Sequence, residues 1–200
     1  MNPPNRPLFL GSHPAIDFLN TALVPDGQRI ETIGDGRAFL DWLVGAGLLE
    51  DAAAAEMRRQ LSGKGLHAVA AEARRLREWA RAWLERWRAA PEADYGDELD
   101  VLNKLLAREV CYHEVIATGK GSRIVERRRI ERADALLALV AMQIAALVTQ
   151  EQGALVKHCA GPGCTLWFLD RTKAHRRLFC SAAACGNRAK VAAFRQRQRG

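Results

Sequence analysis

The chain has 200 residues, of which 48% are apolar and 26% charged, the composition of a soluble globular protein with room for one full core or for a medium domain plus a small appendage. A disordered or fibrous chain is excluded. The net charge of +7 is unevenly placed: residues 151–200 hold ten Lys and Arg against two acids, or +8, whereas residues 1–150 hold 20 against 21, or −1. The basic field therefore belongs to the last quarter of the chain, where it points to an anionic partner, nucleic acid first.

In chain order, the opening residues lack the long apolar run of a secretory leader. Residues 15–21 read as a short helix or extended segment packed into the core. Val24-Pro25-Asp26-Gly27 is a turn signal, and residues 28–33 can form a short strand. A clear helix follows over residues 37–46, with Phe39, Leu40, Leu43 and Val44 on one side and Gly47 at its end. Residues 51–61 form an alanine-rich second helix, and Ser62-Gly63-Lys64-Gly65 breaks the chain.

The spacing predicts a long helix over residues 66–90, ended by Pro91. Leu76, Trp79, Trp83 and Trp87 give it an aromatic stripe at spacings of 3, 4 and 4. A core face is the expectation, a ligand-stacking surface the alternative. Residues 97–111 look helical, with Cys111 a small core residue. Two β-rich runs, 114–117 and 123–126, flank a glycine turn and predict a hairpin within residues 113–128. Gly119-Lys120-Gly121-Ser122 is not a phosphate loop, because Glu114 stands where the upstream glycine should be.

Residues 130–150 form a helix that is apolar nearly all round and hence central, ended by Gly153. Its longest apolar run, residues 135–148, has 14 residues and includes Gln143, too short to span a bilayer. A cytoplasmic protein with no membrane partner is the expectation. The boundary falls near residues 150–156, giving a helical unit over 1–152 and a small module over 153–200.

That module carries Cys159, Cys164, Cys180 and Cys185, spaced C-x4-C, fifteen residues, C-x4-C. Two close pairs joined by a short linker are the layout of a tetrahedral zinc site. Soft thiolates suit zinc, and in a reducing cytosol paired cysteines bind metal more often than they form disulfides. Four protein ligands leave no open position for water, so one structural zinc ion is expected and a catalytic one is not. His158 and His175 are spare ligands and are read as surface groups. Gly161, Pro162 and Gly163 supply the tight turn inside the first pair. Residues 166–169, Leu-Trp-Phe-Leu, read as a strand or turn plugging the metal site, with base stacking by Trp167 and Phe168 the alternative.

A helix from Cys185 to Arg197 is predicted to turn Val191 and Phe194 inward and to carry a basic stripe of Arg188, Arg195 and Arg199. Candidate nucleic-acid contacts are Arg171, Lys173, Arg176, Arg177, Arg188, Lys190 and Arg195. A solvated basic tail is the alternative. For Arg188 a hydrogen bond back to the knuckle competes equally with a phosphate or guanine contact. Gly186 permits close approach, and Asn187 can cap amides or thiolates. In the helical unit His13, Asp17, Asn20 and His113 are the polar candidates for a ligand pocket. They match no catalytic constellation, so no enzyme is expected, and capping or a core network is the competing role.

Cys180 to Lys190, read with Cys159, Cys164, Trp167-Phe168, Asp170 and Arg176-Arg177, resembles the CGNR zinc-finger family of bacterial proteins. Ile16-Asp17-Phe18-Leu19-Asn20-Thr21, Phe39-Leu40-Asp41-Trp42-Leu43 and Ala46-Gly47-Leu48-Leu49 resemble the ABATE domain that precedes the finger in that family. Phe179 replaces an aromatic that is often Trp, and Ala182 a frequent Met. The resemblance implies a stress-induced transcription regulator that holds duplex DNA through its finger. An RNA-binding or protein-interaction module with the same zinc site is the second reading. A small-molecule effector and a homodimer are the partners such a regulator would need, although no heptad pattern supplies the dimer.

The expected fold is mainly α with a small β-hairpin: a helical N-terminal domain plus a four-cysteine zinc knuckle ending in a basic helix.

Overall fold

A computed structural model describes residues 7–24, 27–130 and 132–198. The turn expected at Pro25 and Asp26 and the stripe residue Arg199 lie outside the described residues.

Helix α1 (Pro14–Leu19) opens on a buried cap: His13 Nδ1 accepts the amide of Ala15 at 3.1 Å, and Pro14 fits the first turn, where no donor is needed. Strands β1 (Ala22–Leu23) and β2 (Ile30–Glu31) form a two-residue antiparallel ladder. Helix α2 (Gly36–Gly45) is capped by Asp35 and stopped at Gly47, whose positive φ lets Leu48 N–H return to Leu43 C=O at 2.9 Å. Helix α3 (Asp51–Gln60) follows.

Helix α4 (Gly63–Ala89) begins inside the expected break. Ser62 accepts Gly65 N–H at 3.1 Å, so the Ser-Gly-Lys-Gly run is a capped helix start. The aromatic stripe is core: Trp83 and Trp87 are buried, and Trp79 packs on Trp83 with ring centroids 5.4 Å apart.

Helix α5 (Gly96–Leu106) ends earlier than its sequence suggests. Cys111 belongs to strand β3 (Val110–Thr118) and is exposed, not a core residue. Tyr112, Val115, Ile116 and Thr118 favour a strand, and that outweighs weak helix propensity there. β3 pairs antiparallel with β4 (Gly121–Arg129) over nine residue pairs, closed by a two-residue turn at Gly119-Lys120. The hairpin is thus longer than the two apolar runs indicate.

Helix α6 (Leu136–Gln150), entered through a short 3-10 turn, is the central helix. Leu136, Leu137, Leu139, Val140, Ile144 and Leu147 are all buried. By length and composition Ala133–Gln150 could cross a membrane, but half of that window is buried in the protein core. The helix stops at Glu151, two residues before Gly153. Gly153 serves close packing instead: a Cβ there would lie 2.9 Å from the Arg88 Cα of α4.

Strands β5 (Val156–His158) and β6 (Trp167–Leu169) form a third antiparallel pair. Alternation along β6 splits its side chains between two cores. Trp167 and Leu169 join the helical core, with Val156, whereas Phe168 joins the cysteine cluster. The expectation that the whole 166–169 segment plugs the metal site is therefore half met, because β6 is the wall between both cores. A π-turn over Ala182–Gly186 leads into helix α7 (Asn187–Arg197). No residue of α7 is buried, and Val191 and Phe194 are 48% and 58% exposed. Their predicted inward face is corrected: Leu8, Leu10 and Leu23 of the N-terminal segment already fill the cysteine core.

Candidate metal centre and the surface around it

Two turns bring the four sulfurs together. The first, Cys159 to Cys164, is tightened by Gly161, whose Cβ would sit 3.0 Å from Cys185 Cβ and 3.1 Å from its Sγ. Any side chain at 161 would collide with a ligand. The second turn, Cys180 to Cys185, is held by Ser181, which accepts Ala184 N–H at 3.2 Å. The cap at this end is Ser181, a residue the sequence did not single out. A Cβ on Gly186 would make only ordinary contacts, so the close approach expected there belongs to Gly161.

All four Sγ atoms lie within 4.8 Å of one another, with Cys164–Cys180 at 3.9 Å and Cys180–Cys185 at 3.6 Å. A zinc–sulfur bond of about 2.3 Å gives a tetrahedron with an edge of about 3.8 Å, so the spacing fits one zinc ion. The electrostatics agree. Hydrogen bonding from the Cys180 thiol brings the Cys164 thiol down to about 5. That same contact pushes the Cys180 thiol far up, and burial raises Cys185. Four sulfurs so close cannot all ionise on their own, and a dication removes the conflict.

Hydrogen-bond donors surround the sulfurs. Gly161 N–H and Cys180 N–H donate to Cys159 Sγ at 3.4 and 3.2 Å, and Arg188 Nη2 donates to Cys185 Sγ at 3.1 Å. Such bonds orient thiolate ligands and offset their charge. His158 pairs with Glu85 at 2.8 Å, and the His175 ring lies 3.2 Å from Asp170 C=O, so neither joins the sulfur cluster.

Below the knuckle, Asp170 is fully buried and collects Lys157 Nζ at 2.7 Å, Thr172 Oγ1 at 2.6 Å, and the amides of Thr172 and Arg177. Burial alone would raise its pKa, but these donors outweigh it and hold the carboxyl well below the usual range.

The seven candidate contact residues separate into two groups. Arg177 stacks over Phe168 at 4.3 Å and donates to Phe179 C=O, Ser12 Oγ and Leu10 C=O at 2.9, 2.9 and 3.1 Å. Arg171 donates to Ser12 C=O and Glu151 at 3.2 and 2.6 Å. These two clamp the N-terminal segment to the finger, and Arg188 holds a sulfur. Lys173, Arg176, Lys190 and Arg195 are exposed and form no ion pair among the described residues.

His13, Asp17 and Asn20 are buried on or beside α1, each bonded to backbone. Asp17 accepts Gly11 N–H at 2.7 Å, and Asn20 makes two 2.9 Å bonds to the backbone of Trp167, one in each direction. His113 lies apart, exposed on β3. Sequence reasoning missed Arg77, a fully buried cation held by Glu31 at 2.6 Å, Glu78 at 3.0 Å and Thr21 at 2.9 Å. No sequence signal marks it, because it sits in a helix full of arginines.

A helical domain bearing a four-sulfur structural knuckle on a shared strand defines a zinc-finger protein. The chain belongs to the ABATE family, described as "Putative stress-induced transcription regulator", which matches residues 12–151, and its C-terminal part is a CGNR zinc finger over residues 156–198. No curated protein matches the chain.

Proposed function

We propose that this protein is a cytoplasmic transcription regulator of the stress response, not an enzyme, whose finger grips duplex DNA. The observation that carries the reading is the set Lys173, Arg176, Lys190 and Arg195, exposed and with no ion pair among the described residues, on a segment of charge +8. Phosphates on a duplex attract such groups without regard to sequence, and α7 is a projecting helix of the size a groove accepts. Arg188 contributes from beside the metal, orienting the first turn of α7. Arg171 and Arg177 act indirectly, by fixing the finger on the helical domain.

Residues 1–152 form the sensing unit in this reading and residues 153–200 the reading unit. A small-molecule effector has room in the cleft of about 590 Å³ between α3, the end of β4 and α6, floored by Leu49, Met57 and Leu139. The zinc ion, held by Cys159, Cys164, Cys180 and Cys185, supplies rigidity and no chemistry.

The test is fluorescence anisotropy of the zinc-loaded chain against promoter duplex, random duplex and RNA, at low and physiological salt. Tightest binding to promoter duplex, weakening with salt, is expected. Preference for RNA would transfer the reading to an RNA-binding module, and equal weak binding to all three would remove nucleic acid from it.

A further inference from the structure

The β3–β4 hairpin projects from the helical core. Among its described side chains only Ile116 and Val125 are half-buried, and all the others are exposed. Val115 and Ile124 stand directly opposite each other on one face, and each leaves 69% of its surface in water. A two-stranded ribbon with both faces wet is marginal by itself. Neither strand pairs with a third among the described residues, so each keeps an open edge.

The two edges differ in chemistry. Five of the nine residues of β4, Gly-Ser-Arg-Ile-Val-Glu-Arg-Arg-Arg, are charged. Charged edges are how sheets avoid pairing. In β3, Val-Cys-Tyr-His-Glu-Val-Ile-Ala-Thr, Glu114 is the one residue of the Asp, Glu, Lys and Arg types, and it already pairs with Arg127 of β4 at 2.8 Å. The edge of β3 therefore carries little of the protection that β4 has.

We propose that β3 is the seam of a homodimer. The β3 strand of a second copy lies antiparallel along it, building a four-stranded sheet in the order β4-β3-β3-β4 around a two-fold axis. A two-fold seam must be self-complementary. Centred on Val115, it sets Val115 against Val115 of the second copy, Glu114 against Ile116, His113 against Ala117 and Tyr112 against Thr118. No like charges meet. Centred on Glu114, it would oppose two carboxylates. The Val115 register also makes one apolar row across all four strands, Ile124, Val115, Val115, Ile124, and leaves the arginine-rich strands at the outer edges. This seam does not depend on DNA binding, but it gives the assembly two fingers.

The test uses the full-length, zinc-loaded chain. Sedimentation velocity at tens of micromolar should give a dimer, and Val115→Lys a monomer with an unchanged far-UV spectrum. As a check independent of that variant's folding, Val115→Cys in a Cys111→Ser background should form a disulfide-linked dimer under mild oxidation. Ile124→Cys in the same background should not, since three strand spacings separate the two copies by about 14 Å. A monomeric wild-type chain would overturn the proposal. So would cross-linking at position 124 as strong as at 115, which would mean that the hairpins stack face to face.

Discussion

In the helical core, Phe18 and Phe39 pack on Trp42, Trp83 packs on Trp79 and Tyr95, and all share one cluster with aliphatic side chains from α1, α2, α4 and α6. Among the described residues the cluster around the sulfurs has five buried apolar members, three of them cysteine ligands. The first region can fold on apolar area; the second is far too small to do so. It relies on the metal, on leucines borrowed from the N-terminal segment, and on Asp170, Arg171 and Arg177. The two regions are also not independent, because β6 presents Trp167 and Leu169 to one and Phe168 to the other. The lesson is that a small metal module can be part of a larger core while its outer helix stays bare.

Removing zinc is the strongest way to break this comparison. Metal binding to such sites contributes about 10–16 kcal/mol of apparent folding free energy, so a chelator should abolish order in the finger. Because β6 is shared, the melting temperature of the helical core should fall as well. Calorimetry with and without chelator checks this, and an unmoved core transition would show the two regions to be separate.

Arg77→Ala comes next. It leaves Glu31 beside a buried hole without its cation, and a loss of about 3–5 kcal/mol is expected in denaturant unfolding. Arg58→Ala, at an exposed pair with Asp41, should cost under about 1 kcal/mol. Asn20→Ala strips two buried bonds from the backbone of Trp167 and should cost about 2–4 kcal/mol. It should also weaken zinc retention, measurable by chelator competition, because β6 carries Phe168 into the cysteine core.

Adjacent arginines sharpen the contrast inside the finger. Arg177→Ala should lower stability by about 1–3 kcal/mol through its lost backbone and Phe168 contacts. Arg176→Ala should leave stability unchanged and reduce the salt slope of DNA binding by about 1.

The smallest effects are those of pH. Burial raises the Asp17 pKa to about 6, against about 3.9 when unfolded. Between those values the native state binds more protons, so its stability falls as pH rises from about 4 to 6. Asp17→Asn keeps the acceptor for Gly11 and should flatten melting temperature across that window. Asp170 has the opposite sign: its native pKa is lowered, so its contribution is present above pH of about 4 and is lost on further acidification.

Much of this protein is local and legible in its sequence alone. The four sulfur ligands follow from count and spacing, because a tight turn brings C-x4-C cysteines close wherever it occurs. The core face of α4 follows from helical period, and the hairpin from β-branched runs around glycine. Position along the chain also fixed the charge asymmetry. What only the tertiary structure decided depends on partners distant in sequence. Asn20 and Trp167 are 147 residues apart, and Arg177 reaches Ser12 and Leu10 across 165 and 167 residues. No periodicity marks such pairs. An arginine that clamps two segments and one that stands exposed are written with the same letter, and the exposure of Val191 and Phe194 depended on which leucines had already filled the finger.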